Sequence, residues 1–242
     1  MATSQVIKVK NYILLHDAKW VVTVPDKWFN ISHWQKENAV LGRAMGRGST
    51  WFVRHNNREL ALRHYKRGGM VARLLEDRYL WLGLKMTRAW REWHLLAEMF
   101  EAGLPVPQPL AARVSRHGLL YSADLITARI PDTQSLTAIL AEHPLQEALW
   151  GQIGATIARF HQAGYCHADL NANNILLDSK QQIFLIDFDR GSKRKHGAWR
   201  FKNLERLLRS LHKQQEQAGG KFHFTENDWL ALNTGYETAF EA

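Results

Sequence analysis

Two short apolar runs with acids and amides fixed at their ends constrain this chain more than any other feature: H-A-D-L-N-A-N-N-I-L-L-D at 167–178 and Q-Q-I-F-L-I-D-F-D at 181–189. Their apolar runs read as two short strands, which the turn-prone stretch from Asp178 to Gln181 joins as a pair. That pairing is expected to bring Asp169, Asn174 and Asp187 near one another. Phosphoryl transfer needs a carboxylate to orient and deprotonate an attacking hydroxyl, and hard oxygen ligands to hold Mg²⁺ on nucleotide phosphates. Asp169 suits the first task, and Asn174 with Asp187 the second.

Elsewhere the chain punctuates itself with turns and changes of hydrophobic period. Between Thr50 and Tyr65, two β-rich runs flank Asn56 and Asn57 and read as a hairpin. From Met86 to Ala102, Trp93, Leu96 and Phe100 fall at helical spacing before a stop at Gly103. The segment L-P-V-P-Q-P cannot be helical, because each proline fixes its φ and pushes its predecessor to extended conformations. Strands are expected near Leu110–Val114 and Leu119–Ile126. A second helix is expected over Leu145–Ala163, with Leu149, Ile153, Ile157 and Phe160 on one face.

The 167–189 pattern resembles the catalytic core of the protein-kinase superfamily, whose loop is H-x-D-L-x-x-x-N and whose metal motif is D-F-G. The resemblance makes His167 a brace for the loop; Cys166 beside it reads as a buried filler. Asp189 stands where the superfamily has the glycine of D-F-G. Upstream, G-R-A-M-G-R-G-S-T-W-F-V looks like a degenerate glycine-rich loop, with Gly46, Gly48 and Ser49 at its tip beside the phosphates. In A-L-R, Ala61 and Arg63 share a strand face, and the resemblance implies that Ala61 faces adenine and that Arg63 stands where the superfamily has lysine. Lys66 falls on the opposite face by parity. Glu92, near the middle of the following helix, is the expected partner of Arg63, and Glu98 a poorer one.

These motifs, with L-R-H-Y-K-R-G-G, G-L-P-V-P-Q-P, L-I-D-F-D-R-G and the tail W-R-F-K-N-L-E-R-L-L-R-S-L, are similar to those of the bacterial lipopolysaccharide kinase family, over roughly Gly42 to Leu211. The resemblance implies ATP-dependent phosphorylation, with Mg²⁺, of the 4-hydroxyl of a 3-deoxy-D-manno-octulosonic acid (Kdo) residue on lipid A precursor. The place implied is the cytoplasmic face of the bacterial inner membrane. A heptose kinase of the lipopolysaccharide core, or a kinase acting on protein or another small molecule, is the alternative. The acceptor is anionic, and Arg190, Lys193, Arg194 and Lys195 follow Asp187 as candidates to bind it.

The expected fold is α+β and two-lobed, like a protein kinase. A small antiparallel-sheet lobe with one main helix spans 1–130, a mainly helical catalytic lobe spans 131–242, and ATP lies between them. The net charge of +9 favours an anionic partner. No nucleic-acid motif accompanies it, and a peripheral, salt-sensitive contact with an anionic membrane surface is expected instead. One cysteine excludes an intramolecular disulfide and a Cys-based zinc cluster. Trp28, Phe29, Ile31 and Trp34 could insert at a membrane interface, but packing on the body is the expected use.

Overall fold

The computed structural model describes residues 4–20, 23–44, 49–66 and 77–241. The fold is α+β, with an antiparallel main sheet and six α-helices among the described residues. The chain divides into two compact units, Met1–Ala102 with Pro107–Ile130, and Gly103–Val106 with Pro131–Ala242.

The first unit is built on eight strands: β1 (Ser4–Val9), β2 (Tyr12–Asp17), β3 (Val40–Arg43), β4 (Ser49–His55), β5 (Arg58–His64), β6 (Tyr79–Leu80), β7 (Pro109–His117) and β8 (Leu120–Ala128). Their order is β1-β2-β7-β8-β5-β4-β3, with β6 on β8. β4 and β5 are joined at Asn56, whose φ of 52° lies in the left-handed region that asparagine tolerates. Alternation sends Leu60 and Leu62 to one face and Ala61 and Arg63 to the other.

On the first of those faces lies the segment before β3, with a short 3-10 turn (Asp26–Phe29) and helix α1 (Ile31–Lys36). Trp28, Phe29 and Trp34 are buried there with Leu14, Val24, Val53, Leu60, Leu62 and Ile126, and Ile31 packs against the same cluster. The Trp34 indole N–H donates to the Trp28 carbonyl at 2.8 Å. These aromatics are core, so membrane insertion has no use of them.

Helix α2 (Arg88–Glu101) buries Ala89, Glu92, Trp93, Leu96, Ala97 and Met99. Phe100, which the sequence pattern puts on the buried stripe, is 43% exposed. The stripe drifts towards Met99 along the helix and leaves Phe100 at its edge in the last turn.

In the second unit, α3 (Leu136–Glu142), α4 (Glu147–Gln162), α5 (Trp199–Gln217) and α6 (Glu226–Glu241) surround short strands. β9 (Thr133–Ser135), β11 (Ile175–Asp178) and β12 (Ile183–Leu185) form one sheet in the order β12-β11-β9, while β10 (Tyr165–Cys166) pairs with β13 (Ser192–Lys193). Ser135 caps α3 by accepting the Ala138 N–H at 3.2 Å. Leu149, Ile153, Ile157 and Phe160 of α4 are all buried. Among the described residues no helix is long and apolar enough to cross a membrane.

Helices α4 and α6 approach backbone to backbone. A Cβ added at Gly154 would lie 1.9 Å from the Leu232 carbonyl oxygen and 2.8 Å from the Tyr236 nitrogen, whereas one at Gly151 meets its nearest atom at 3.8 Å. Gly154→Ala is therefore expected to force the helices apart, at a cost of about 1–3 kcal/mol for overpacking and a lower thermal midpoint. Gly151→Ala is expected to be neutral or to gain up to about 1 kcal/mol of helix propensity. Thermal melts of the two variants check the contrast.

Candidate active site

The second unit holds the residues of the 167–189 motif. β11 and β12 pair Ile175 with Leu185, and the Ile186 N–H donates to the Asn174 carbonyl at 3.0 Å. That ladder sets Asn174 and Asp187 at the same end of the hairpin. The Asn174 amide Nδ2 donates to the Asp169 carbonyl at 2.9 Å, tying both ends of the loop together. Asp187 has φ 63°, a conformation that costs a non-glycine residue roughly 1 kcal/mol or more and is found preferentially at functional sites. After it the chain turns, with the Gly191 N–H donating to the Phe188 carbonyl at 2.7 Å. The second left-handed residue of this turn is Arg190, at φ 64°, and not Asp189.

His167 is 2% exposed. Its Nε2–H donates to the Ile186 carbonyl at 2.8 Å, and its Nδ1 accepts the Asp169 backbone N–H at 3.1 Å, which fixes one neutral tautomer. Burial lowers its pKa, against the Ile186 carbonyl and the nearby acids. Its ring lies 4.5 Å from that of Phe188, which stacks on Phe160 of α4 at 5.6 Å. Core packing thereby fixes the strand and loop on either side of Asp187. Cys166 is buried, and burial raises its thiol pKa.

Three polar residues of α5 reach this loop, and sequence reasoning assigned none of them a role. Asn203 accepts the His167 backbone N–H at 3.2 Å, and the Ser210 hydroxyl accepts that of Ala172 at 3.3 Å. Between them, Arg206 Nε donates to Asp169 Oδ1 at 2.8 Å, and its Nη2 reaches the same oxygen. Their spacing of three and then four places them on one helix face, a pattern that in sequence reads equally well as a solvated stripe. Burial raises the Asp169 pKa, but the Arg206 hydrogen bond and charge outweigh it and hold the carboxyl below its usual value.

The basic run follows the turn along the outside of the unit. Arg190, Lys193, Arg194 and Lys195 are exposed. Lys193 Nζ lies 5.1 Å from the Tyr165 ring centroid, and Arg194 Nε donates to Ser192 Oγ at 2.9 Å. β13 pairs directly with β10, so the run lies alongside the residues that lead into His167.

Behind the loop, His161 is 1% exposed, with Nδ1 2.9 Å from the Tyr236 hydroxyl. Burial lowers its pKa to about 4. The unfolded chain, at 6.5, takes up this proton first, so stability is expected to fall as pH drops from about 6.5 towards 4, by up to about 1.4 kcal/mol per pH unit. Thermal midpoints across that range should show a shallower slope in His161→Gln than in the parent.

The first unit carries the remaining candidates. Arg63 Nη1 donates to Glu92 Oε1 at 3.1 Å, and Glu92 on α2 is 3% exposed. The Tyr65 hydroxyl donates to the other oxygen of Glu92, and the Arg63 guanidinium lies 5.1 Å from the Tyr65 ring centroid. Burial and the Glu92 charge push the Tyr65 phenol well above its ordinary pKa. Ala61 is on the face of Arg63, opposite Phe52 on β4 and Thr127 on β8. Lys66 lies two residues beyond the end of β5 and is exposed. It lines a cavity of about 590 Å³ together with Leu62, Arg63, His64, Arg113 and Asp124, so the parity expected to separate it from Arg63 does not hold: the strand alternation ends at His64. Ser49 opens β4 opposite His64. Gly46 and Gly48 lie outside the described residues.

The chain matches the lipopolysaccharide kinase (Kdo/WaaP) family over residues 32–236. Among its relatives is a 3-deoxy-D-manno-octulosonic acid kinase of Vibrio parahaemolyticus, 43% identical over 222 residues that cover 92% of each chain. An enzyme of that name from Haemophilus influenzae is 42% identical over 218 residues, 87% of this chain and 90% of the other. A third, from Vibrio cholerae, is 43% identical over 190 residues, 78% of this chain and 81% of its own. The chain is that of a kinase, an enzyme that takes a phosphoryl group from ATP. Within that class the chain belongs to the lipopolysaccharide kinase (Kdo/WaaP) family.

Proposed function

We propose that this enzyme transfers the γ-phosphoryl group of ATP to the 4-hydroxyl of a Kdo residue on lipid A precursor, in lipopolysaccharide core biosynthesis. The observation that carries the reading is Asp169 on its loop: an exposed carboxylate held ionised by Arg206 and tied through its own carbonyl to Asn174. Identity above 40% to enzymes named for Kdo supplies the acceptor.

The 4-hydroxyl gives its proton to Asp169 as its oxygen bonds to the γ-phosphorus, and the bond from that phosphorus to the β–γ bridging oxygen breaks to release ADP. His167, kept neutral, positions the loop and takes no proton. Arg63, oriented by Glu92 and Tyr65, holds the nucleotide phosphates, with Ala61 against the adenine and Gly46, Gly48 and Ser49 over the phosphate chain. One carboxylate and one amide oxygen, from Asp187 and Asn174, make the sparse hard-oxygen set that suits Mg²⁺ when phosphates and water complete its shell. Bound there, Mg²⁺ neutralises charge on the phosphate oxygens. Arg190, Lys193, Arg194 and Lys195 receive the carboxylate and phosphates of the acceptor. Residues 1–130 and 131–242 are then the small and catalytic lobes of a protein-kinase-like fold. Because the acceptor is lipid-borne, the enzyme works peripherally at the anionic cytoplasmic face of the inner membrane.

An acceptor panel tests the reading. Purified enzyme, labelled ATP and Mg²⁺ are offered Kdo-bearing lipid A precursor, heptosylated core and a generic protein. Label is expected in the first; label in heptose or protein alone would overturn the acceptor assignment.

A further inference from the structure

The first unit carries an apolar tip that nothing in the phosphotransfer chemistry uses. The β7–β8 hairpin turns at Gly118, which has φ 61°, and at Leu119, which is 76% exposed. β6 pairs with the start of β8, Tyr79 opposite Tyr121 and Leu80 opposite Leu120, and the Trp81 N–H extends the ladder to the Leu119 carbonyl at 2.8 Å. Leu80 and Leu82 emerge beside the tip, 56% and 67% exposed. Three large aliphatic side chains in water at one end of a sheet exceed the scattered exposure of an ordinary surface.

The surroundings are cationic. From Arg78 to Arg91 the chain has no acid, and Arg78 and Lys85 are exposed there. Arg116 packs its guanidinium 4.9 Å from the Trp81 ring centroid, and its backbone N–H donates to the Asn11 carbonyl at 3.1 Å, which brings the β1–β2 turn with Lys10 alongside. Trp81 is half-buried behind the tip.

We infer that this tip is the membrane-docking surface, with Leu80, Leu82 and Leu119 entering the acyl boundary of an anionic leaflet while Lys10, Lys85 and Arg116 meet its phosphates. A projecting tip with a cationic collar suits a fluid acidic interface, in which aliphatic side chains insert and cations stay at headgroup depth. A rigid protein partner would instead have to supply a pocket of matching shape. The proposal deepens the reading of a lipid-borne acceptor, but the docking itself requires only the bilayer.

The test is co-sedimentation of the full chain with vesicles of phosphatidylethanolamine and phosphatidylglycerol, against phosphatidylcholine alone. Binding is expected to the anionic vesicles and to weaken with salt. Leu82→Glu with Leu119→Glu should lower the partition by about tenfold or more, since each removes an apolar contact and adds a like charge. Phe201→Glu with Leu230→Glu, at exposed apolar sites of the second unit, should leave it unchanged. Thermal midpoints confirm that the variants fold. On a Kdo acceptor stripped of its acyl chains, Leu82→Glu/Leu119→Glu should retain parental turnover. Failure of the parent to bind anionic vesicles, equal binding by the tip variant, or equal loss in the second-unit control would each overturn the assignment. Tip-dependent binding by an enzyme that ignores every Kdo acceptor would uphold docking and overturn the acceptor.

Discussion

Asp169→Asn is expected to lower turnover by about 10²–10⁴-fold, the contribution typical of a positioned general base, with little change in thermal midpoint. The side chain is 55% exposed, so its amide analogue removes proton acceptance without opening a cavity. The loop around it keeps its own ties, from Asn174 Nδ2 to the Asp169 carbonyl and from His167 to Ile186. Asp187→Ala should lower turnover comparably and raise the Mg²⁺ concentration needed for half-maximal rate, because it removes the charged oxygen of the proposed metal set. Steady-state kinetics over a Mg²⁺ titration, with melts of each variant, separate the two signatures. Parental turnover by either variant would remove that residue from the site.

The second large effect is expected at Arg63. Its guanidinium meets a nearly inaccessible carboxylate, Glu92. Arg63→Ala should therefore cost both chemistry and stability: roughly a hundredfold in rate for a lost phosphate contact, and about 3–5 kcal/mol at most for leaving a buried charge without its partner. Tyr65 still donates to Glu92, which keeps the stability loss toward the lower end. Arg63→Lys should restore part of the rate, since charge survives and the planar fork does not. Lys66→Ala should matter less for ATP. Loss of ATP use in Lys66→Ala with a nearly silent Arg63→Ala would transfer the phosphate contact to Lys66.

Where the sequence carried a strong local signal, it led to the right elements. The Asn56–Asn57 turn, the apolar stripe of α4 and the twin strands around Asp178–Gln181 each combine a breaker with an unambiguous period. Strand parity likewise put Arg63 beside Ala61 and towards Glu92. The first strand was illegible because only Ile7 of β1 is half-buried and its other residues are exposed, so no alternation of apolar and polar residues marks it. Trp28, Phe29 and Trp34 gave no sign of which face of the sheet they cover. Asn203, Arg206 and Ser210 were missed because a polar stripe on a helix has the same pattern whether it faces water or a catalytic loop. Only the fold distinguishes them, by placing α5 against residues 167–172.

The most direct measurement of the central claim is the position of the transferred phosphate. With Mg-ATP and Kdo-bearing lipid A precursor, ³¹P–¹H correlation on the product should place phosphorus on the oxygen at carbon 4 of the Kdo ring, and an acceptor lacking that hydroxyl should take no phosphate. Phosphate at another position, or equal transfer to the acceptor without the 4-hydroxyl, would contradict the account.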